Sequence, residues 1–134
     1  MKKVFLIILI IILFVFGCTK TIEKPVQEGV DCKDNLVCLT TNFIVCEKAF
    51  GTIIDKNEEI YFQILETKND KCEVYLQLNK SSKAPSILLG LNAKCRVNIA
   101  ELIELQQKMN FEELDCEGPL YDAALNAKNF GLIK

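Results

Sequence analysis

Seven cysteines in 134 residues are the side chains best equipped for chemistry here, and no histidine is present to work with them. Without imidazole there is no Ser-His or Cys-His nucleophile pair, no histidine base and no His-containing metal site. Zinc sites favour close pairs of the Cys-x-x-Cys kind. Successive gaps between Cys32, Cys38, Cys46, Cys72, Cys95 and Cys116 are instead 5, 7, 25, 22 and 20 residues. The same spacing lacks the Cys-x-x-Cys of thioredoxin-type redox chemistry. Structural disulfides are the remaining use for these six. Three serines, Ser81, Ser82 and Ser86, share one short stretch and have no base to activate them. Glu112, Glu113, Asp115 and Glu117 are clustered carboxylates of the kind calcium takes, but no Asp-x-Asp-x-Asp-Gly loop accompanies them, so they read as a solvated helix end. A carboxylate-based hydrolase needs a cleft that nothing in the pattern locates. No enzymatic activity, metal or cofactor is expected.

Cys18 stands apart from the other six. It follows Met1-Lys2-Lys3, thirteen unbroken apolar residues from Val4 to Phe16, and Gly17. A cationic start before a short apolar run is the plan of a signal peptide. As a helix the run covers about 20 Å, short of the roughly 30 Å of a hydrocarbon core, so spanning is the weaker reading. The boundary Val15-Phe16-Gly17-Cys18 resembles the lipobox of lipoproteins, with an aliphatic residue at minus 3, a small one at minus 1 and the cysteine that is acylated. Phe16 is bulkier than the pattern prefers. The resemblance implies a signal peptide over 1–17 and lipidation at Cys18, hence an extracytoplasmic domain anchored in the cell envelope. An uncleaved signal anchor carrying the same domain is the alternative. Cysteine parity agrees with export, because setting Cys18 aside leaves six cysteines free to form three disulfides in an oxidising compartment.

The charge balance, 16 basic against 18 acidic side chains, gives no electrostatic footprint for nucleic acid. The mean hydropathy of +0.19 owes its sign to the apolar amino terminus. Residues 18–31 are polar, contain Pro25 and Gly29, and carry neither helical nor strand periodicity; they read as a flexible tether reaching at most about 45 Å. The domain proper is expected over 32–134.

Within it, Asp34 or Asn35 caps a helix whose stripe is Leu36, Leu39, Phe43, Cys46 and Phe50, with Gly51 as the stop. Along such a helix Cys38 and Cys46 stand about 12 Å apart, too far to bridge each other. Ile60, Phe62 and Ile64, then Cys72, Val74, Leu76 and Leu78, alternate with polar neighbours and mark a hairpin around Lys68-Asn69-Asp70-Lys71. Keeping both apolar sets on one face calls for an odd loop of three or five residues. Thr52–Asp55 and Lys94–Ile99 read as further strands. Asn98 is available to cap a helix over Ala100–Met109. Cys116-Glu117-Gly118-Pro119 reads as a turn, and Pro119 to Lys128 as a short helix. The expected fold is α+β, one amino-terminal helix on an antiparallel sheet of about four strands, with carboxyl-terminal helical segments, disulfide-stabilised and loosely cystatin-like in plan.

Cys46 and Cys72 both face the helix–sheet core in this arrangement, which favours a bridge between them; Cys32 or Cys38 is then expected to hold the Cys116 turn. Tyr61, Gln63, Leu65, Tyr75, Gln77, Arg96 and Asn98 fall on the other sheet face. Tyrosines among amides suit a contact surface, so this face is the candidate binding site, the alternative being a solvent face or one covered by the carboxyl-terminal segment. The order Asp31-Cys32, Asp34, Cys38-Leu39, Cys46-x-x-Ala49, Cys72, Cys95 and Cys116-x-Gly118-Pro119 resembles small exported six-cysteine proteins of archaeal and candidate-phylum genomes. That resemblance implies a disulfide-stabilised exported domain. The expected function is a non-enzymatic, membrane-tethered binding or envelope-associated module. A cystatin-like protease inhibitor is the alternative, against which the charged Lys68–Lys71 loop counts.

Overall fold

The structure is a computed structural model that describes residues 22–100 and 114–131. The signal peptide, Cys18, the helix expected over 100–109 beyond its first residue, and Glu112 and Glu113 lie outside the described residues.

The chain runs β1 (Val30–Lys33), α1 (Leu36–Ile44), β2 (Ala49–Asp55), β3 (Glu58–Lys68), β4 (Lys71–Lys80), a 3-10 turn (Ser86–Leu88), β5 (Asn92–Val97), β6 (Asp115–Glu117) and α2 (Pro119–Asn129). The strands form one sheet in the order β1-β2-β3-β4-β5-β6. β1 is parallel to β2 and every other neighbour is antiparallel. This corrects the expected four-stranded antiparallel sheet: the sheet is six-stranded and mixed, and its plan is not the cystatin-like one. The two unforeseen strands are the edges β1 and β6, four and three residues long. Alternation cannot register in pieces that short, and Cys116-Glu117, read as a turn, belongs to β6. A parallel β1–β2 pair needs a crossover, and α1 supplies it.

α1 starts where the side chain of Asn35 accepts a hydrogen bond from Cys38 N at 3.1 Å. It ends at Ile44, not at Gly51. Cys46 turns the chain with φ 52°, and its N–H donates to Phe43 O. Phe50 and Gly51 are consequently in β2. Leu39 and Phe43 face the sheet, Phe43 meeting Phe62 edge-to-face with centroids 5.7 Å apart. The core lies between α1 and the sheet, around Cys32, Leu39, Ala49, Ile64, Cys72, Val74 and Cys95.

Three disulfides thread this layer. Cys46–Cys72 ties the end of α1 to β4, the bridge favoured by the sequence. Cys32–Cys38 joins β1 to the first turn of α1, and Cys95–Cys116 joins directly paired residues of β5 and β6. Neither Cys32 nor Cys38 therefore holds Cys116, as had been expected: β1 and β6 are at opposite edges of the sheet.

The β3–β4 turn is the two-residue Asn69-Asp70, both with positive φ, in place of the expected odd loop. Pairing runs Lys68↔Lys71, Thr67↔Cys72 and Glu66↔Glu73, then jumps to Ile64↔Val74. The bulge at Leu65 inserts one residue and restores the parity that a two-residue turn breaks. Ile64, Phe62 and Ile60 thereby reach the same face as Val74, Leu76 and Leu78.

Candidate functional site

The second face of the sheet carries Tyr61, Gln63, Tyr75 and Gln77, with Arg96 and Asn92 from β5 alongside through the pairs Tyr61↔Gln77, Gln63↔Tyr75, Gln77↔Asn92 and Glu73↔Arg96. Of the seven residues expected on this face, the register aligns Tyr61, Gln63, Tyr75, Gln77 and Arg96, whereas Leu65 falls at the bulge, Asn98 lies beyond β5, and Asn92 was not among them. The expectation that they form an open contact surface is not met. Tyr61 is 5 % exposed, and Gln63 and Tyr75 are 1 % exposed. Residues 22–28 lie over them as a strap, a stretch that the sequence presented as part of a free tether.

Amides of the sheet and strap hold the two together. Gln27 Nε2 donates to Tyr61 Oη at 3.2 Å, Tyr61 Oη donates to Gln63 Oε1 at 2.9 Å, and Gln63 Nε2 donates to the Val26 carbonyl at 2.7 Å. Nearer the strap's start, Asn92 Nδ2 donates to the Ile22 carbonyl at 2.8 Å and to Tyr75 Oη at 3.0 Å. Lys24 Nζ lies 4.2 Å from the Tyr61 ring centroid, and the two tyrosine rings meet edge-to-face at 6.2 Å. Burial pushes the Tyr61 phenol above its ordinary pKa, the hydrogen bond from Gln27 partly opposing this. Lys48 and Glu28 close the far end with a 2.7 Å ion pair, which lowers the Glu28 carboxyl and raises the Lys48 ammonium.

Two glycines make the path possible. Gly29 turns the strap into β1 with φ 99°, and a Cβ there would strike the Lys48 carbonyl. Gly118, with φ 115°, faces the strap's start, where a Cβ would stand 2.5 Å from Ile22 Cδ1 and 2.9 Å from Asn92 O.

The other expected site residues are structural as well. Leu65 is the bulged residue and, with Pro25, Val26, Glu28, Lys48 and Gln63, lines a cavity of about 190 Å³. That is smaller than the roughly 300–1,000 Å³ of small-molecule sites. Gln77 Nε2 donates to Gly90 O, and Asn98 Oδ1 accepts from Ala100 N. The Arg96 guanidinium makes two 3.1 Å bonds to Asp115, which holds its pKa above the usual arginine value, and Lys71 approaches the same carboxylate at 3.8 Å. Among the described residues no group of three His, Cys, Asp or Glu side chains converges on a metal position.

Several exposed apolar side chains lie on and just after α1. Leu36, Val37, Ile44 and Val45 point outward, Val37 being 75 % and Ile44 58 % exposed. Between them Thr40 and Thr41 donate their hydroxyls to the Leu36 and Val37 carbonyls at 2.8 Å, which spends their polar groups on the helix itself. No charged residue occurs from Asn35 to Cys46. The outer side of α1 thus lacks the charged residues that a solvent-facing helix side ordinarily carries. Periodicity registers the inner stripe of this helix; the missing charge on its outer side is the sequence signal for the exposed apolar face.

No protein-family model, curated protein or solved structure matches the chain. The three disulfides are bonds that persist in oxidising, extracytoplasmic surroundings. Among the described residues no helix is long and apolar enough to cross a membrane.

Proposed function

We propose that the chain is an exported, membrane-tethered module without enzymatic activity that holds a protein partner on the outer face of α1. The observation that carries this reading is the exposed, uncharged Leu36–Val37–Ile44–Val45 face on a helix clamped at both ends by Cys32–Cys38 and Cys46–Cys72. Apolar side chains on a pre-rigidified element lose little conformational entropy when covered, so a small patch can still bind. The lipobox resemblance at Cys18 supports the tether.

A photo-crosslinking residue at Val37, compared with one at Ile54 on β2, tests the reading in native envelopes. The expected result is one discrete adduct from Val37 and none from Ile54. Adding Ile44→Lys to the Val37 probe should abolish that adduct while all three disulfides remain in place. An adduct that survives Ile44→Lys, or none from Val37, overturns the assignment.

A further inference from the structure

We propose that the knuckle from Ser86 to Gly90, between β4 and β5, rests on an anionic phospholipid surface beside the chain's own anchor, holding the domain against the bilayer. This rests on the membrane-tethered reading given above, and it replaces the flexible tether of at most about 45 Å expected over 18–31 with a shorter one.

The strap sets the reach. Because the Ile22 carbonyl is held by Asn92, only residues 19–21 separate Cys18 from docked chain. Four residue steps span at most about 14 Å. Leu89 is three residues before Asn92 in the chain, so at most about 11 Å from it. The tether therefore leaves the domain at the β4–β5 end of the sheet, the end that carries the knuckle, whether the anchor is an acylated Cys18 or the apolar Val4–Phe16 segment itself.

The knuckle presents what an interface takes. Ile87 is 79 % exposed and Leu89 is exposed beside it. Much of the knuckle's backbone is paired internally: Leu88 N donates to Pro85 O, Leu89 N to Ser86 O, Leu91 N to Leu88 O and Gly90 N to Leu78 O, while Gln77 caps the Gly90 carbonyl. Polar backbone that is already paired can approach hydrocarbon without the penalty of stripping its water.

Charge selects the sign of the lipid. No carboxylate occurs from Val74 to Ala100, although the chain as a whole is acidic. Within that stretch Lys94 and Arg96 are engaged by Glu73 and Asp115, and Lys80 and Lys83 remain exposed at the base of the knuckle. Glu58 accepts from the Ser82 N–H and hydroxyl and feels the Lys83 charge, and Glu59 pairs across the strands with Lys80, but neither lysine is held in an ion pair among the described residues. Two exposed lysines on the amino-terminal side of an apolar tip match a surface of lipid phosphates over hydrocarbon.

The chain contains no tryptophan, so a single introduced indole reports its own surroundings. Full-length membrane-purified Ile87→Trp, Leu89→Trp and Val37→Trp, each with intact disulfides, are reconstituted in phosphatidylglycerol–phosphatidylethanolamine vesicles with plain or brominated acyl chains. The expected result is loss of more than half the Ile87→Trp and Leu89→Trp emission on bromination, with Val37→Trp unchanged. Co-sedimentation with vesicles but no quenching at either knuckle position overturns the inference and leaves the tether intact. A blue-shifted, unquenched indole shows a protein surface or second copy on the knuckle, which also overturns it. Failure to co-sediment overturns both the inference and the tethered reading.

Discussion

Replacing Gln63 by Met should cost about 1–2 kcal/mol of stability, and replacing Tyr61 by Phe at the same time should add little to that cost. Gln63 is 1 % exposed and serves two partners, accepting from Tyr61 Oη and donating to the Val26 carbonyl. Met conserves volume, so the loss is of hydrogen bonds and not of packing. The Val26 carbonyl belongs to an exposed residue and can rehydrate. The Tyr61 hydroxyl is buried, still accepts from Gln27, and is left with a proton and no acceptor. An orphaned buried donor costs about 1–3 kcal/mol, and the added apolar contact of Met offsets part of it. Tyr61→Phe alone mirrors this by orphaning Gln63 Oε1. In the double variant both partners are apolar, so its total should fall short of the sum of the singles by about 1–2 kcal/mol. Urea unfolding under non-reducing conditions, read by linear extrapolation, measures all four corners of the cycle. Additive losses would refute the claim that this pair exchanges a buried hydrogen bond, and unchanged amide exchange of residues 22–28 in the single variants would refute its role in seating the strap.

Alkaline pH should loosen the same face. The folded-state pKa of Tyr61 lies above its ordinary 10.0, so the stability linked to its neutral form is complete below about 10 and is lost as pH rises through the raised value. The urea midpoint should fall in that window, and less so in Tyr61→Phe. Removing Cys46–Cys72, which closes a separation of 26 residues, should cost about 3.5 kcal/mol on the chain-entropy account, against about 2.2 kcal/mol for Cys32–Cys38 across 6. Paired Cys→Ala variants compared by thermal unfolding check the order, and a larger loss from the shorter loop contradicts it. Arg96→Ala should cost no more than about 1 kcal/mol, because both it and Asp115 are more than a third exposed. Lipidation at Cys18 should vanish in Cys18→Ser with the attendant membrane fractionation, which mass spectrometry of the intact chain reads directly.

The long hairpin was legible because Ile60 to Leu78 alternates over two full strands, and the demand for matched parity was physically correct. What parity does not reveal is where the odd residue goes: the chain puts it at Leu65 within β3 and keeps a tight Asn69-Asp70 turn. α1 was legible from its inner stripe and its Asn35 cap. Its end was not, since Cys46 leaves the helix through a left-handed turn whose partner, Cys72, is 26 residues away. The tyrosine face illustrates a different limit. Alternating Tyr, Gln and Asn look the same whether they meet water or another stretch of backbone, and the strap that covers them has the polar, Pro- and Gly-containing composition of a linker. Its order comes from Gln63 and Asn92, distant in sequence, which donate to its carbonyls.

The two faces of the sheet are closed by unlike means, and the difference has a mechanical sense in a tethered protein. α1 is fixed by apolar packing and by covalent bonds at both ends. The strap is fixed by hydrogen bonds and ring contacts arranged in series: Ile22 to Asn92, Lys24 over Tyr61, Gln27 to Tyr61, Val26 to Gln63, Glu28 to Lys48. Tension applied upstream of Ile22 meets these one at a time, so the strap peels in small steps instead of shearing as a unit. Peeling runs as far as Gly29. Beyond it the chain enters β1, pairs with β2, and at Cys32 is bonded to Cys38 in α1. The first covalent stop therefore comes two residues into the sheet, and the α1 face lies entirely on its protected side. Strap loss would lengthen the tether by about 25 Å, seven residues at near full extension, while leaving that face folded and presented.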